Sequence, residues 1–90
     1  MATVRIPTPL RTYTQNKADV KVSGKTVGEV LKALESTAPG IGTRLFEPNG
    51  TLKRYVNVFH NDEDIRFLKD LETPVTDADT LSIIPAIAGG

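Results

Sequence analysis

The chain has 90 residues, a formal net charge of zero and no cysteine. This length allows one domain, and the lack of cysteine excludes disulfide bonds and thiolate metal sites. Apolar residues make up 39% of the sequence and charged residues 24%, which is ordinary for a globular protein. No apolar run reaches the roughly 18 residues of a membrane span, and the first ten residues do not resemble a signal peptide, so we expect a cytoplasmic protein.

The charges are distributed unevenly along the chain. Lys and Arg outnumber Asp and Glu by 7 to 3 in residues 1–45, whereas Asp and Glu outnumber Lys and Arg by 8 to 4 in residues 46–90. No basic stripe typical of a nucleic-acid-binding protein is present. The acidic segments 61–64 and 77–79 are either solvated turns or secondary contacts for a partner with a basic surface.

The first half of the chain predicts two strands and one helix. Residues 3–7 and 20–22 alternate polar and apolar side chains, as half-buried strands do, and residues 8–17 between them are interpreted as a poorly defined loop. Thr26 and Glu29 have capping-box spacing. An apolar stripe with helical spacing follows, so we predict a helix over residues 27–38. The stripe consists of Val27, Val30, Leu31 and Leu34.

The second half predicts three strands and a short turn that packs on the core. The turn comprises Arg44, Leu45 and Phe46, and Leu71 and Val75 are expected to anchor a crossover to the last strand. The predicted strands are residues 55–59, 64–67 and 80–84. One amphipathic helix and one sheet bury each other's apolar faces in an α+β arrangement. The element order is that of the β-grasp, or ubiquitin-like, fold over residues 1–84, with the first and last strands parallel at the centre.

The chain ends with Pro85-Ala86-Ile87-Ala88-Gly89-Gly90, and these six residues predict a flexible tail. Pro85 has no amide hydrogen and is expected to end the last strand. Two glycines without Cβ atoms allow the backbone to lie in a space too narrow for side chains. The predicted working group is the carboxylate of Gly90, because a thin terminus reaches into another protein's active site and is activated there as an acyl-adenylate. Such a carrier requires no catalytic residue of its own.

The sequence resembles the ubiquitin-like sulfur carriers of the MoaD/ThiS family over nearly its whole length, and within them most closely the CysO type. Five stretches carry the resemblance: residues 5–8, 26–31, 55–58, 61–67 and 84–90. The resemblance implies that an E1-like enzyme adenylates Gly90 with ATP and that the product becomes a thiocarboxylate. It further implies a sulfur-accepting cysteine synthase that uses an activated serine, a metalloprotease that releases the product, and a monomeric carrier without a bound cofactor.

An outward docking patch is predicted on the sheet. If Leu81 and Ile83 face the helix, strand alternation turns Ile84 outward, and the same alternation turns Phe59 outward. Both are apolar, so they form either a partner-docking patch or scattered surface hydrophobes.

Other constellations give no catalytic or metal site. Asp62, Glu63 and Asp64 are consecutive, so their carboxylates point in different directions, and the single histidine, His60, has no catalytic companion in the sequence. Three alternatives remain: a carrier for molybdopterin or thiamine thiazole synthesis, a protein modifier that forms isopeptide bonds through Gly90, and an interaction module with an idle tail.

Overall fold

The structure is a computed structural model, and it describes residues 1–85. Its seven strands and α-helices are, in chain order, β1 (Ala2–Arg5), β2 (Asp19–Val22), α1 (Val27–Thr37), α2 (Gly42–Leu45), β3 (Val56–His60), β4 (Glu63–Asp64) and β5 (Thr80–Pro85). The strands form one sheet in the order β2-β1-β5-β3-β4. β1 and β5 are parallel and adjacent, and the other neighbours are antiparallel. This is the predicted β-grasp arrangement.

The core lies between α1 and one face of the sheet. The apolar stripe of the helix is fully buried, at 0% exposure for each member: Val27, Val30, Leu31 and Leu34. Across from it, β1 contributes Val4 and β5 contributes Leu81, each also at 0%. The turn predicted around Leu45 is the short helix α2, and Leu45 is fully buried. Among residues 1–85, no helix combines the length and apolarity required to cross a membrane.

The cap of α1 differs from the predicted capping box in one contact. The Thr26 hydroxyl accepts the Glu29 N–H at 3.2 Å, as expected. The Glu29 carboxylate, however, accepts the N–H of Lys25 at 3.2 Å rather than that of Thr26. Thr26 has an extended backbone and forms an isolated β-bridge with Pro74. The amide that faces the Glu29 carboxylate is that of the preceding residue, Lys25.

Two segments differ from the sequence prediction. The segment predicted as a poorly defined loop contains a 3₁₀ helix, Thr8–Thr14. Proline fixes φ in the first turn of this helix, and two of its own residues, Leu10 and Thr14, are buried. The short strand predicted over 64–67 ends at Asp64. There the Asp64 carboxylate accepts the Arg66 N–H at 2.9 Å and starts a 3₁₀ turn over Ile65–Phe67.

The last strand is one residue longer than predicted. Pro85, assigned to the tail from the sequence, is the final residue of β5, and its backbone is in register with Val56 of β3. A proline is tolerated at a strand terminus because it removes only one N–H donor from the ladder of backbone hydrogen bonds. The boundary between the sheet and the predicted tail therefore follows Pro85.

Candidate functional site

The last described strand, β5, is the central strand of the sheet, and Pro85 is its last residue. β5 lies between β1 and β3, with Ser82 beside Arg5 on one side and Pro85 beside Val56 on the other. The predicted tail residues beyond this point, Ala86, Ile87, Ala88, Gly89 and Gly90, lie outside the described residues, and their roles stay predictions.

The predicted alternation of β3 and β5 is correct. Leu81 and Ile83 are buried at 0% and 3% exposure, whereas Ile84 is 48% exposed on the opposite, open face. Phe59 lies on that same face, diagonal to Ile84, because residue 84 pairs with Asn57. The two predicted docking residues thus share one face next to the point where the chain leaves the sheet.

Phe59 is half-buried, so the exposed part of this patch is smaller than the sequence suggested. Its strand is interior, and Ser82 of β5 and Asp64 of β4 are directly opposite it on either side. The most exposed large apolar side chain among residues 1–85 is instead Phe67, at 86%. Sequence alternation did not find it, because alternation assumes a strand where the chain forms a 3₁₀ turn.

A groove of about 420 Å³ runs along the open side of β5 near its last residues. Ile6, Pro7 and Ile84 form part of its apolar wall, and the side chains of Arg5 and Arg11 border it. Arg11 is fixed there because its Nε donates to the carbonyl of Ile6 at 3.1 Å. The sequence contained no signal for these arginines, since only the parallel pairing of β1 and β5 brings them beside the end of the last strand.

The opposite end of the sheet is held by a polar cluster around Asp79. One carboxylate oxygen accepts from the Thr76 N–H at 2.8 Å and lies 2.8 Å from Nε2 of His60. The other accepts from the Asn61 side chain at 3.3 Å. Mainly the Thr76 N–H, and then His60, lower the pKa of Asp79 to about 2. His60 and Asp79 thus join the β3–β4 turn to the turn that precedes β5.

The consecutive acidic residues do not converge on one point. Glu63 is exposed, and Asp64 caps the following 3₁₀ turn through the Arg66 N–H. Within residues 1–85 there is no group of three or more His, Cys, Asp or Glu side chains positioned to hold a metal ion. The described acidic residues have structural contacts or face solvent.

The contacts of Asp79 predict a pH-dependent stability. Asp79→Asn should lower the free energy of unfolding at neutral pH by about 1–2 kcal/mol, because hydrogen bonds to a charged carboxylate are lost. The folded-state pKa lies below the ordinary value of 3.8, so this stabilisation is present above about pH 4 and disappears as the pH falls towards about 2. Urea unfolding at several pH values measures it. Asp77→Asn is the matched control, since Asp77 is 93% exposed; an equal effect of both substitutions would contradict the prediction.

Comparison with known proteins identifies the family. The model of the ThiS family matches residues 4–90, which is nearly the whole sequence. The chain belongs to the ThiS family. The match includes the strand that leads to the C-terminus and the terminal Gly-Gly pair.

Relatives of this family member agree in sequence and in fold. It is 47% identical over 90 residues to the sulfur carrier protein CysO of Mycobacterium tuberculosis, with 98% of this chain and 97% of that protein covered. A chain in the crystal structure of the Amycolatopsis orientalis BexX/CysO complex superposes with a TM-score of 0.93 at 48% identity, with both chains fully covered. Small archaeal modifier protein 3 of Haloferax volcanii is 40% identical over 65 residues, which cover 72% of this chain and 70% of that protein. These matches confirm the predicted family and fold.

Proposed function

We propose that this protein is a ubiquitin-like sulfur carrier that delivers sulfur for cysteine biosynthesis as a thiocarboxylate on Gly90. The observation that carries the proposal is the near full-length similarity to sulfur carrier protein CysO, at 47% identity. The described fold supports it, because β5, the strand that precedes the predicted tail, is the central strand of the sheet. The chain acts as a protein co-substrate rather than as an enzyme.

The chemistry takes place on the terminal carboxylate. An oxygen of Gly90 attacks the α-phosphorus of ATP in an E1-like enzyme, and pyrophosphate leaves, which gives an acyl-adenylate. A sulfide-level sulfur nucleophile then attacks the acyl carbon and AMP leaves, so the terminus becomes a thiocarboxylate. ATP is the enzyme's substrate, and the carrier itself holds no cofactor. The residues that give the carboxylate its access to the enzyme are those between β5 and Gly90, namely Ala86, Ile87, Ala88 and Gly89.

The carrier then meets a second partner that accepts the sulfur. In this proposal, a cysteine synthase supplies a serine whose β-oxygen carries a leaving group, and the thiocarboxylate sulfur bonds to the β-carbon as that group leaves, which gives a thioester. The acyl group then moves from sulfur to the amino nitrogen of the new cysteine, and a metalloprotease hydrolyses the resulting amide and frees the cysteine. Ile84 and Phe59 are the proposed docking residues for these partners, because they share the open face beside the end of β5. One face thus serves successive partners, which allows only one of them to bind at a time.

Alkylation provides a sharp test because the chain has no cysteine. A thiol-selective reagent such as iodoacetamide should label the protein purified from its native host, and fragmentation should place the label on Gly90. The unlabelled species should be heavier than the carboxylate form by about 16 mass units, and fragmentation separates this change from oxidation of Met1 to its sulfoxide. Protein from a heterologous host without an activating enzyme is the control. The proposal would be contradicted if the protein, purified from native host cells grown under conditions that require sulfur delivery, carried only a carboxylate at Gly90.

The similarity to small archaeal modifier protein 3 supports a second candidate function, which uses the same terminus. Here the activated Gly90 is attacked by a lysine amine of another protein, and an isopeptide bond replaces the thiocarboxylate. Higher-mass conjugates that survive reduction and contain a Gly90–lysine linkage would favour this function. A host extract with labelled thiocarboxylate and no such conjugates would favour sulfur transfer.

A further inference from the structure

The described part of the sheet separates charge between its two ends. β5 begins beside acidic residues of two turns and of β4. Asp77 and Asp79 precede β5, and Asp77 lies 3.0 Å from the N-terminal ammonium, while Asp62 is in the β3–β4 turn and Glu63 begins β4. Arginines from four other segments lie around the last residues of β5 and the start of β3. Six strand residues separate these ends by about 17–20 Å. The uneven charge along the sequence therefore becomes a charge difference along the direction in which the chain leaves the sheet.

Two arginines lie on the β1 side of the exit. Arg5 ends β1, is exposed, and pairs with Ser82 of β5. Its Nε is 3.7 Å from the Asp19 carboxylate, and both side chains are more than half exposed, so solvent weakens this pair. Arg11 borders the same groove, and its described hydrogen bond is to a neutral carbonyl, so that contact leaves its charge in place.

Two further arginines lie on the β3 side. Arg66 donates through Nη2 to the carbonyls of Arg54 and Val56, both at 3.0 Å, and Val56 is the residue paired with Pro85. These contacts hold the Arg66 guanidinium at the start of β3, the strand that pairs with the end of β5, without neutralising it. Arg54 is exposed just before β3. Among residues 1–85, no carboxylate lies within 4.0 Å of a basic nitrogen of Arg11, Arg54 or Arg66. We call Arg5, Arg11, Arg54 and Arg66 the basic rim.

We propose that the basic rim docks on an acidic protein surface that borders the active-site entrance of the activating enzyme. This inference rests on the proposed function, in which the C-terminus enters that site. Arginine forms charge-assisted hydrogen bonds with carboxylates, so the rim would bind Asp and Glu side chains around the entrance. The acidic far end of the sheet would be repelled by the same surface. The two effects together orient the carrier with its C-terminus foremost and raise the association rate.

A charge-reversal experiment with the E1-like enzyme of the same host tests the proposal. ATP–pyrophosphate exchange is measured as a function of carrier concentration for the double variant R5E/R54E, whose two sites are exposed on opposite sides of the exit. The KM for the carrier should rise about 10-fold or more while kcat changes less than about 2-fold, because encounter is impaired and the terminus is intact. The increase should shrink as salt is raised towards about 0.5 M.

The matched control is K25E/K32E, which changes the net charge equally at two exposed lysines near and on α1. Its KM should stay within about 2-fold of the original chain, because these lysines lie away from the exit. Equal KM values for both double variants, or a loss of kcat instead of a rise in KM, would overturn the basic-rim proposal. If the original chain supports no exchange at all, the proposed function fails and the inference fails with it. Circular dichroism of each variant verifies that it is folded.

Discussion

Deletion of Gly89 and Gly90 is expected to reduce sulfur loading by at least about 100-fold without lowering the stability of the protein. The deletion shortens the chain by about 7 Å, so the new terminal carboxylate cannot reach the position at which Gly90 meets ATP. Displacement of a reacting atom by about 1 Å lowers a reaction rate by up to about 100-fold. The core contacts lie within residues 2–83, so thermal unfolding should be unchanged. Alkylation of the reconstituted reaction measures the loading.

A length-matched variant separates reach from access in that experiment. Replacement of both terminal glycines by alanine keeps the length and the carboxylate but adds two methyl groups where the backbone must fit a narrow space. We expect this variant also to load poorly, with a smaller loss than the deletion. Normal sulfur delivery by the deletion variant would favour an interaction module with an idle tail and would refute the carrier function.

The substitution Leu34→Ala is expected to lower the free energy of unfolding by about 3–5 kcal/mol, the range for large-to-small changes at fully buried sites. Leu34 is 0% exposed and lies between α1 and the sheet. A domain of this size has a total stability of about 5–15 kcal/mol, so the variant should approach the folding threshold. Urea unfolding at neutral pH gives the difference directly.

The control for this substitution is Lys32→Ala on the exposed side of the same helix. It retains helix propensity and buries nothing, so its effect should be within about 0.5 kcal/mol. A loss below about 1 kcal/mol for Leu34→Ala would contradict the description of the core as a single helix packed on one sheet face.

The local patterns of this chain predicted its elements well where one period dominates. The helical stripe runs from Val27 to Leu34, and it forms α1 almost within the predicted bounds. The alternation in β5 placed Leu81 and Ile83 inward, as found. Such patterns are reliable because apolar side chains that repeat with the period of a helix or strand lie on one face of that element, and the core buries that face.

One strand prediction was wrong because a side chain competes with the backbone for hydrogen bonds. Asp64 accepts the Arg66 N–H and turns the chain into a 3₁₀ helix, although the residues themselves favour a strand. Phe59 lies on the predicted face, and only its exposed fraction is smaller than expected, because neighbouring strands flank it on both sides. Pro85 belongs to β5 because its backbone still pairs with Val56.

The order of elements, the apolar stripe and the Gly-Gly terminus are local properties. From them the sequence alone was sufficient to identify the β-grasp fold and the family resemblance, and it predicts the Gly90 carboxylate as the working group. The arrangement around the exit is different in kind. Arg5, Arg11, Arg54 and Arg66 are up to 61 positions apart, and they lie around the end of β5 only because β1 pairs with it in parallel and β3 antiparallel. Strand pairing is set by burial of the whole sheet against α1, so this charge distribution depends on the tertiary structure.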